Sequence, residues 1–188
     1  MGMDIDVLGR ELFRVLETTD PDLAARVVDD GFHNREAAVA PPACATPGPA
    51  GVLASSAWMR FAFDDLHFEI LGAARNADQL WLRLRMQGRH TGPFVRFREG
   101  VLDQALPPTG RRIDFEQIHV LGVRDGKVVR HEAVRDDITM LGQLGVFPPA
   151  PAALRRVIGW KLTGRAGRAA AQVTEEAARA ASLAGAAS

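Results

Sequence analysis

A glutamine and a histidine two residues apart, Gln117 and His119, fall on one face of an alternating stretch whose other inward members are Ile113, Phe115 and Leu121. In a strand every second side chain points the same way. Polar groups set among apolar ones on such a face are either satisfied inside a core or aimed into a cavity. Histidine titrates near neutrality, so in a cavity His119 can take or give a proton. Gln117 would then orient a carbonyl or hold the imidazole. In a solid core the same two residues are a buried amide and a buried ring that have found partners.

Other residues join this list by position. Strand alternation puts His131 on the side of Val129 and Ala133, near the turn end of its strand. His90 follows Leu84 and Met86 inward at a glycine-rich strand end, which suits a pocket rim. Asn34 reads as a turn residue or a ligand contact. Trp58 reads as core, or as an aromatic lining a ligand cavity. Glu132 is expected to face outward and Asp136 to cap a helix. His90, His119 and His131 lack the spacing of a metal motif, so no metal is expected. Cys44, the single cysteine, has no partner for a disulfide and no activating neighbour, and reads as an incidental thiol.

The elements that must position these groups come in two runs. Ile5, Leu8, Leu12, Phe13 and Leu16 have helical spacing. Asp20-Pro21 predicts an N-cap and first-turn proline for a second helix through Leu23, Val27 and Val28. Phe32-His33-Asn34 then leads into a proline-rich loop, and a third helix is predicted over 51–63. From Leu66 the period becomes two. Strands are predicted around 66–70, 80–86, 113–121 and 128–135, with turns at Asn76-Ala77-Asp78 and Asp125-Gly126. Residues 94–106 read as a long loop. Asp136 or Asp137 opens a short helix that Gly145 ends. Helices followed by antiparallel strands predict an α+β fold.

Pro148, Pro149 and Pro151 divide the chain into a domain over 1–148 and a proline-rich linker with an alanine-rich helical tail over 149–188. In the tail, Leu154, Val157, Ile158 and Leu162 predict a packed helix. The stretch from Ala169 reads as a frayed end or a dimer arm.

The composition narrows the function classes. Lys and Arg number 23 against 23 Asp and Glu, which gives no field for nucleic acid. The strip Arg83, Arg85, Gln87 and Arg89 is expected on the outer sheet face, solvated or against a second copy. The acidic start Met1-Gly2-Met3-Asp4-Ile5-Asp6 lacks the positive charge of a signal peptide, and no apolar run approaches membrane-spanning length. A cytoplasmic protein with no membrane contact is expected.

Three stretches in this order resemble the SnoaL-like polyketide cyclases of the NTF2-like superfamily. They are Gly88-Arg89-His90-Thr91-Gly92-Pro93; Pro107-Pro108-Thr109-Gly110-Arg111-Arg112 running into Glu116-Gln117-Ile118-His119; and Val123-Arg124-Asp125-Gly126-Lys127-Val128 with His131 and Gln143-Leu144-Gly145. The resemblance covers about residues 5–147. It implies an α+β cone or barrel, with N-terminal helices packed in a curved antiparallel sheet, and ring closure on a hydrophobic polyketide-type substrate by intramolecular aldol chemistry. No cofactor is implied. Gln117 and His119 match the family's inward pair, and Asn34 matches its pocket asparagine. The expected catalytic set is therefore His119, Gln117 and His131, with Asn34, Trp58, His90 and Ala133 at the substrate.

One position departs from the pattern: Ala133 stands where the family's acid–base aspartate would follow His131. That leaves two alternatives to a cyclase or isomerase, a non-catalytic small-molecule-binding protein and a cofactor-free hydroxylase-type relative. A homodimer through the outer sheet face is also expected.

Overall fold

The computed structural model describes residues 5–186; the acidic opening Met1–Asp4 lies outside the described residues. Helix α1 (Ile5–Thr18) buries Leu8, Leu12, Phe13 and Val15 along one stripe. Asp20 caps α2 (Pro21–Val27) by accepting the Leu23 N–H at 3.0 Å, with Pro21 in the first turn. The helix does not include Val28. Val28 opens a strand, β1 (Val28–Asn34), which pairs in parallel with the last strand of the sheet. Asp29, Asp30 and Gly31 are poor strand formers. They lie in a register break between Val28 and His33, where the Gly31 N–H bonds Asp29 Oδ1 at 2.9 Å, and only the two ends of the strand pair with β7, which is why the local sequence did not show it.

Two 3-10 turns, Arg35–Val39 and Pro42–Ala45, lead to α3 (Pro49–Ala62). Gly51 in its first turn lies so close to the preceding loop that a Cβ there would sit 2.1 Å from the Thr46 carbonyl oxygen. The strands follow: β2 (Phe63–Asn76), β3 (Gln79–His90), β4 (Phe94–Arg98), β5 (Val101–Leu106), β6 (Arg112–Arg124) and β7 (Lys127–Arg135). The main sheet runs β1-β7-β6-β3-β2 and is antiparallel except at the β1 edge. Register shifts in β2 between Asp64 and His67 and between Ile70 and Gly72 bend it, as bulges do.

Residues 94–106, expected as a loop, form the separate hairpin β4–β5. Its turn, Glu99-Gly100, has positive φ at both residues (52° and 76°), the backbone of a two-residue hairpin connection. Phe94, Val95 and Phe97 are buried. Trp58 on α3 ties the hairpin down by donating its indole N–H to the Val95 carbonyl at 2.8 Å. Asp136 caps α4 (Asp137–Leu144), and Gly145 ends it in a left-handed conformation.

The C-terminal segment reverses the expected order of packing. Helix α5 (Pro151–Leu162) buries no residue, and Leu154, Ile158 and Leu162 are exposed. The alanine-rich α6 (Arg165–Ser182) buries Ala166, Ala169, Ala170, Val173, Ala177 and Ala180, packing against α3. Small side chains at three- and four-residue spacing let the two helix backbones approach closely, so a sequence with little bulk still buries a full stripe.

If α6 is part of the core, deleting its one large buried side chain carries a cost. Val173→Ala is expected to lower unfolding free energy in chemical denaturation by about 2 kcal/mol. Gln172→Ala, on the exposed side of the same turn, should leave it within roughly 0.5 kcal/mol. A frayed tail would show no difference between the two.

Candidate active site

The inward face of β6 carries Ile113, Phe115, Gln117, His119 and Leu121, all buried. On β7 the inward residues are His131, Ala133 and Arg135, and Ala133 lies directly across from His119. These strands bring four polar side chains into a row. The Gln117 oxygen Oε1 lies 2.7 Å from His119 Nε2, and His119 Nδ1 lies 2.7 Å from His131 Nε2. His131 Nδ1 lies 3.0 Å from Asn34 Oδ1 on β1. The two imidazole planes are within 6° of parallel, and Phe13 of α1 meets His119 edge-on with ring centroids 4.9 Å apart.

The ends of this row dictate its protons. Asn34 Oδ1 also accepts the Glu36 N–H at 3.0 Å, so it faces His131 as an acceptor and His131 must donate from Nδ1. One proton sits between the two rings. With Gln117 Oε1 facing it, His119 must donate from Nε2 as well. Three protons on four nitrogens make the pair a singly charged imidazole–imidazolium, whose internal hydrogen bond is charge-assisted. The neutral pair holds only two protons. It is satisfied when the Gln117 carboxamide turns half round and offers its NH2 to His119, exchanging the contact of Nε2 with the Met86 sulfur (3.2 Å) for one with Oε1.

Burial opposes the charged state. It pushes His119 well below its ordinary value, with His131 and Arg135 adding to the effect. Burial, then Arg135, push His131 down to about 4. Desolvation is the largest cause for both, so the neutral pair with the turned carboxamide is the resting state near pH 7.

A cavity of about 70 Å³ opens against this wall, lined by apolar residues of α1 and α3 together with Phe32, Phe68 and Ala40. Asn34, Ser55, Trp58, His119 and His131 line it too, as do Glu36 and Arg135. A second chamber of about 30 Å³ lies beside it and receives Gln117. Trp58, Met59 and Arg135 are common to both walls. Gln117 and His119 thus face two adjoining small spaces rather than one large one.

His90 is not in either lining. It is fully buried near Phe63 and accepts the Thr109 N–H at Nδ1 (3.3 Å), which leaves its Nε2 without a partner. Its strand turns inward as expected, but at the end away from the cavity. Ala133 is not a lining residue either; its N–H is bonded to the Glu36 carboxylate at 3.0 Å. Glu132 lies on the outer face, paired with Arg35 at 2.8 Å, and Asp136 is engaged with Thr139. Cys44 is buried, and burial raises its thiol to about 12, an unreactive state. Among the described residues no group of three or more His, Cys, Asp or Glu could hold a metal.

Three polar lining residues, Ser55, Glu36 and Arg135, were not singled out in the sequence. Arg135 was within reach of alternation, since it follows His131 and Ala133 on the same face. Glu36 was not, because the 3-10 turn after Asn34 has no strong local signature.

The depressed histidines fix a pH dependence. In the unfolded chain each takes a proton near pH 6.5, whereas His131, and likewise His90, resists until about 4 in the fold. Between those values the unfolded chain binds more protons, so stability is complete above pH 6.5 and falls as pH drops. Denaturation at pH 4.5 rather than 7 is expected to show a loss on the order of 2 kcal/mol per buried histidine. Gln117→Glu, which places an anion beside His119, should shrink that loss.

The fold is shared with known proteins. The fold matches TsrD from Streptomyces laurentii (TM-score 0.60, 21% identity, covering 77% of this chain and 99% of that one). It also matches a SnoaL-like polyketide cyclase from Agrobacterium tumefaciens (TM-score 0.57, 20% identity, covering 76% and 99%). In sequence the chain is 33% identical over 105 residues to the aklanonic acid methyl ester cyclase DauD of Streptomyces sp. (strain C5), covering 55% of this chain and 60% of that protein. It is 29% identical over 99 residues to the nogalonic acid methyl ester cyclase of Streptomyces nogalater, covering 52% and 67%. The match thus spans about three fifths of the length of the first of these relatives. The profile of the SnoaL-like polyketide cyclases covers residues 7–144, most of the chain, and the protein belongs to that family.

Proposed function

We propose that the protein is a cofactor-independent cyclase that closes a ring on a hydrophobic, carbonyl-bearing polyketide-type molecule, in a cytoplasmic setting. The observation that carries the reading is the cavity: its walls are mostly apolar, and its polar residues gather at the end where His119, His131 and Asn34 form one hydrogen-bonded row. The family and the methyl ester cyclases among its relatives give the reaction class. Ring closure of this kind needs a base at the carbon beside a carbonyl and donors for the developing enolate. A preorganised row in which protons shift between His119 and His131 while the Gln117 amide turns to match suits the second task, because its donors can turn toward new charge without leaving the wall.

The cavity is smaller than the pockets that enclose drug-sized ligands. Substrate must therefore move side chains aside, and Met59 and the ion pair Arg135–Glu36 (3.3 Å) stand where the two chambers and the solvent meet. One observation favours a second reading, a binding protein without turnover: both rings of the pair already use both nitrogens.

Aklanonic and nogalonic acid methyl esters, the compounds that name the relatives, are suitable probes. Turnover to an isomer of equal mass is expected for at least one, with His119→Ala slower by about 10²-fold or more. Unchanged turnover in His119→Ala would remove the row from the chemistry. Tight binding with no turnover in the wild type would favour the binding protein.

We propose also that two copies pair through the outer sheet face. Its support is the exposed group Trp81, Ile118 and Val134 on adjacent strands. Light scattering at micromolar concentration is expected to give a dimer mass, and a monomer would overturn this assignment.

A further inference from the structure

We infer that the Glu36 carboxylate is the proton-transfer group of this cavity, acting as base on the carbon beside a substrate carbonyl and returning the proton to the product. The inference rests on the cyclase reading above and deepens it.

The cavity wall offers few groups that can move a proton. Its titratable lining residues among the described ones are Glu36, His119, His131 and Arg135. The two histidines face each other at 2.7 Å and are capped by Gln117 at 2.7 Å and Asn34 at 3.0 Å. No imidazole nitrogen is left with a lone pair toward the cavity. Arg135 is a permanent cation with no acceptor. Glu36 alone brings free lone pairs. Of the roughly four acceptor sites on a carboxylate, its Oε1 accepts the Ala133 N–H at 3.0 Å and its Oε2 faces the Arg135 guanidinium at 3.3 Å. The side chain is 21% exposed, which places it where the cavity meets solvent and where a substrate would pass.

The fold holds this carboxylate by design of its neighbours. Asn34 accepts the Glu36 N–H at 3.0 Å with the same oxygen that meets His131. The base and the histidine row are therefore hung from one side-chain amide. Ala133 faces inward on β7, directly across from His119, and its N–H is taken by the carboxylate from the turn that follows the neighbouring strand β1. Arg135, two residues on, sets a cation beside the point where an enolate oxygen would gain charge.

The step balances without any other reactant. Glu36 takes the proton from the carbon next to a carbonyl, and the C–H electron pair becomes the enolate. The enolate carbon forms a bond to a second carbonyl carbon in the same molecule. The π pair of that carbonyl goes to its oxygen, which takes the proton back from the Glu36 carboxylic acid. Substrate and product are isomers.

The test compares wild type, Glu36→Gln, Glu36→Asp and Glu36→Gln combined with Ala133→Asp, on an ester that the wild type turns over. Glu36→Gln keeps an oxygen for the Ala133 N–H, and circular dichroism checks its fold. The expected result is a fall in kcat of about 10²–10⁴-fold with KM within about threefold. Glu36→Asp, which keeps the carboxylate but shortens its reach, should retain part of the rate and the acid limb of the kcat–pH profile that Glu36→Gln loses. Ala133→Asp, by delivering a carboxylate opposite His119, should restore part of the rate to Glu36→Gln. Wild-type kcat in Glu36→Gln, with the wild type active, overturns the role of Glu36 and leaves the cyclase reading intact. A wild type inert on both esters overturns the cyclase reading, and the role of Glu36 with it.

Discussion

The requirement that buried polar groups be paired governs the centre of this molecule. Gln117, His119 and His131 are nearly removed from water, and an unpaired amide or imidazole there would cost on the order of 1–3 kcal/mol. The row they form with Asn34 satisfies that requirement, and it does so across three strands, β6, β7 and β1. Its geometry holds only if those strands keep their register. One residue of slip would send every member to the opposite face. The chemistry of the wall and the alignment of the sheet are thus the same constraint.

The rest of the chain supports that arrangement from outside. α1 supplies the edge of Phe13 to His119, and α3 supplies Ser55, Trp58 and Met59 to the cavity. α3 is held from its far side by α6 and from its end by the hairpin β4–β5, through the bond from Trp58 to Val95. Gln143 of α4 clamps the start of β6 by bonding both the N–H and the carbonyl of Asp114, at 2.8 and 2.6 Å. The helix that presents the cavity and the strand that presents the row are each fixed by a polar anchor outside the cavity, so strain at the site need not spread into the core.

How much of this was legible depended on whether the signal was local. The alternation of Leu80, Leu82, Leu84 and Met86, the cap at Asp20 and the Asp125-Gly126 turn are local, and each element formed where its residues indicated. The inward direction of Gln117, His119 and His131 followed from the same period. β1 was not legible, because its middle, Asp29, Asp30 and Gly31, falls in a register break and only its ends, Val28 and His33-Asn34, pair with β7. The hairpin at 94–106 is carried by two five- and six-residue strands, too short for periodicity to separate from a loop. α6 was misread because its stripe is alanine, which looks unburied until a second helix comes close enough to cover it. Glu36 was invisible for the related reason that its place in the site is set by Ala133 and Arg135, nearly a hundred residues away.

Met59, shared by the two small chambers with Trp58 and Arg135, has a consequence for selectivity. A thioether on a flexible chain is a partition that swings at little cost, whereas the indole beside it is pinned by its bond to Val95. On the proposed reading, a compact guest would occupy one room and leave the partition shut. A long, flat, rigid guest would open it and gain the second room, which Gln117 and Met86 line. The length of the guest would then decide whether it touched one end of the polar row or both, with a single unbranched side chain as the ruler.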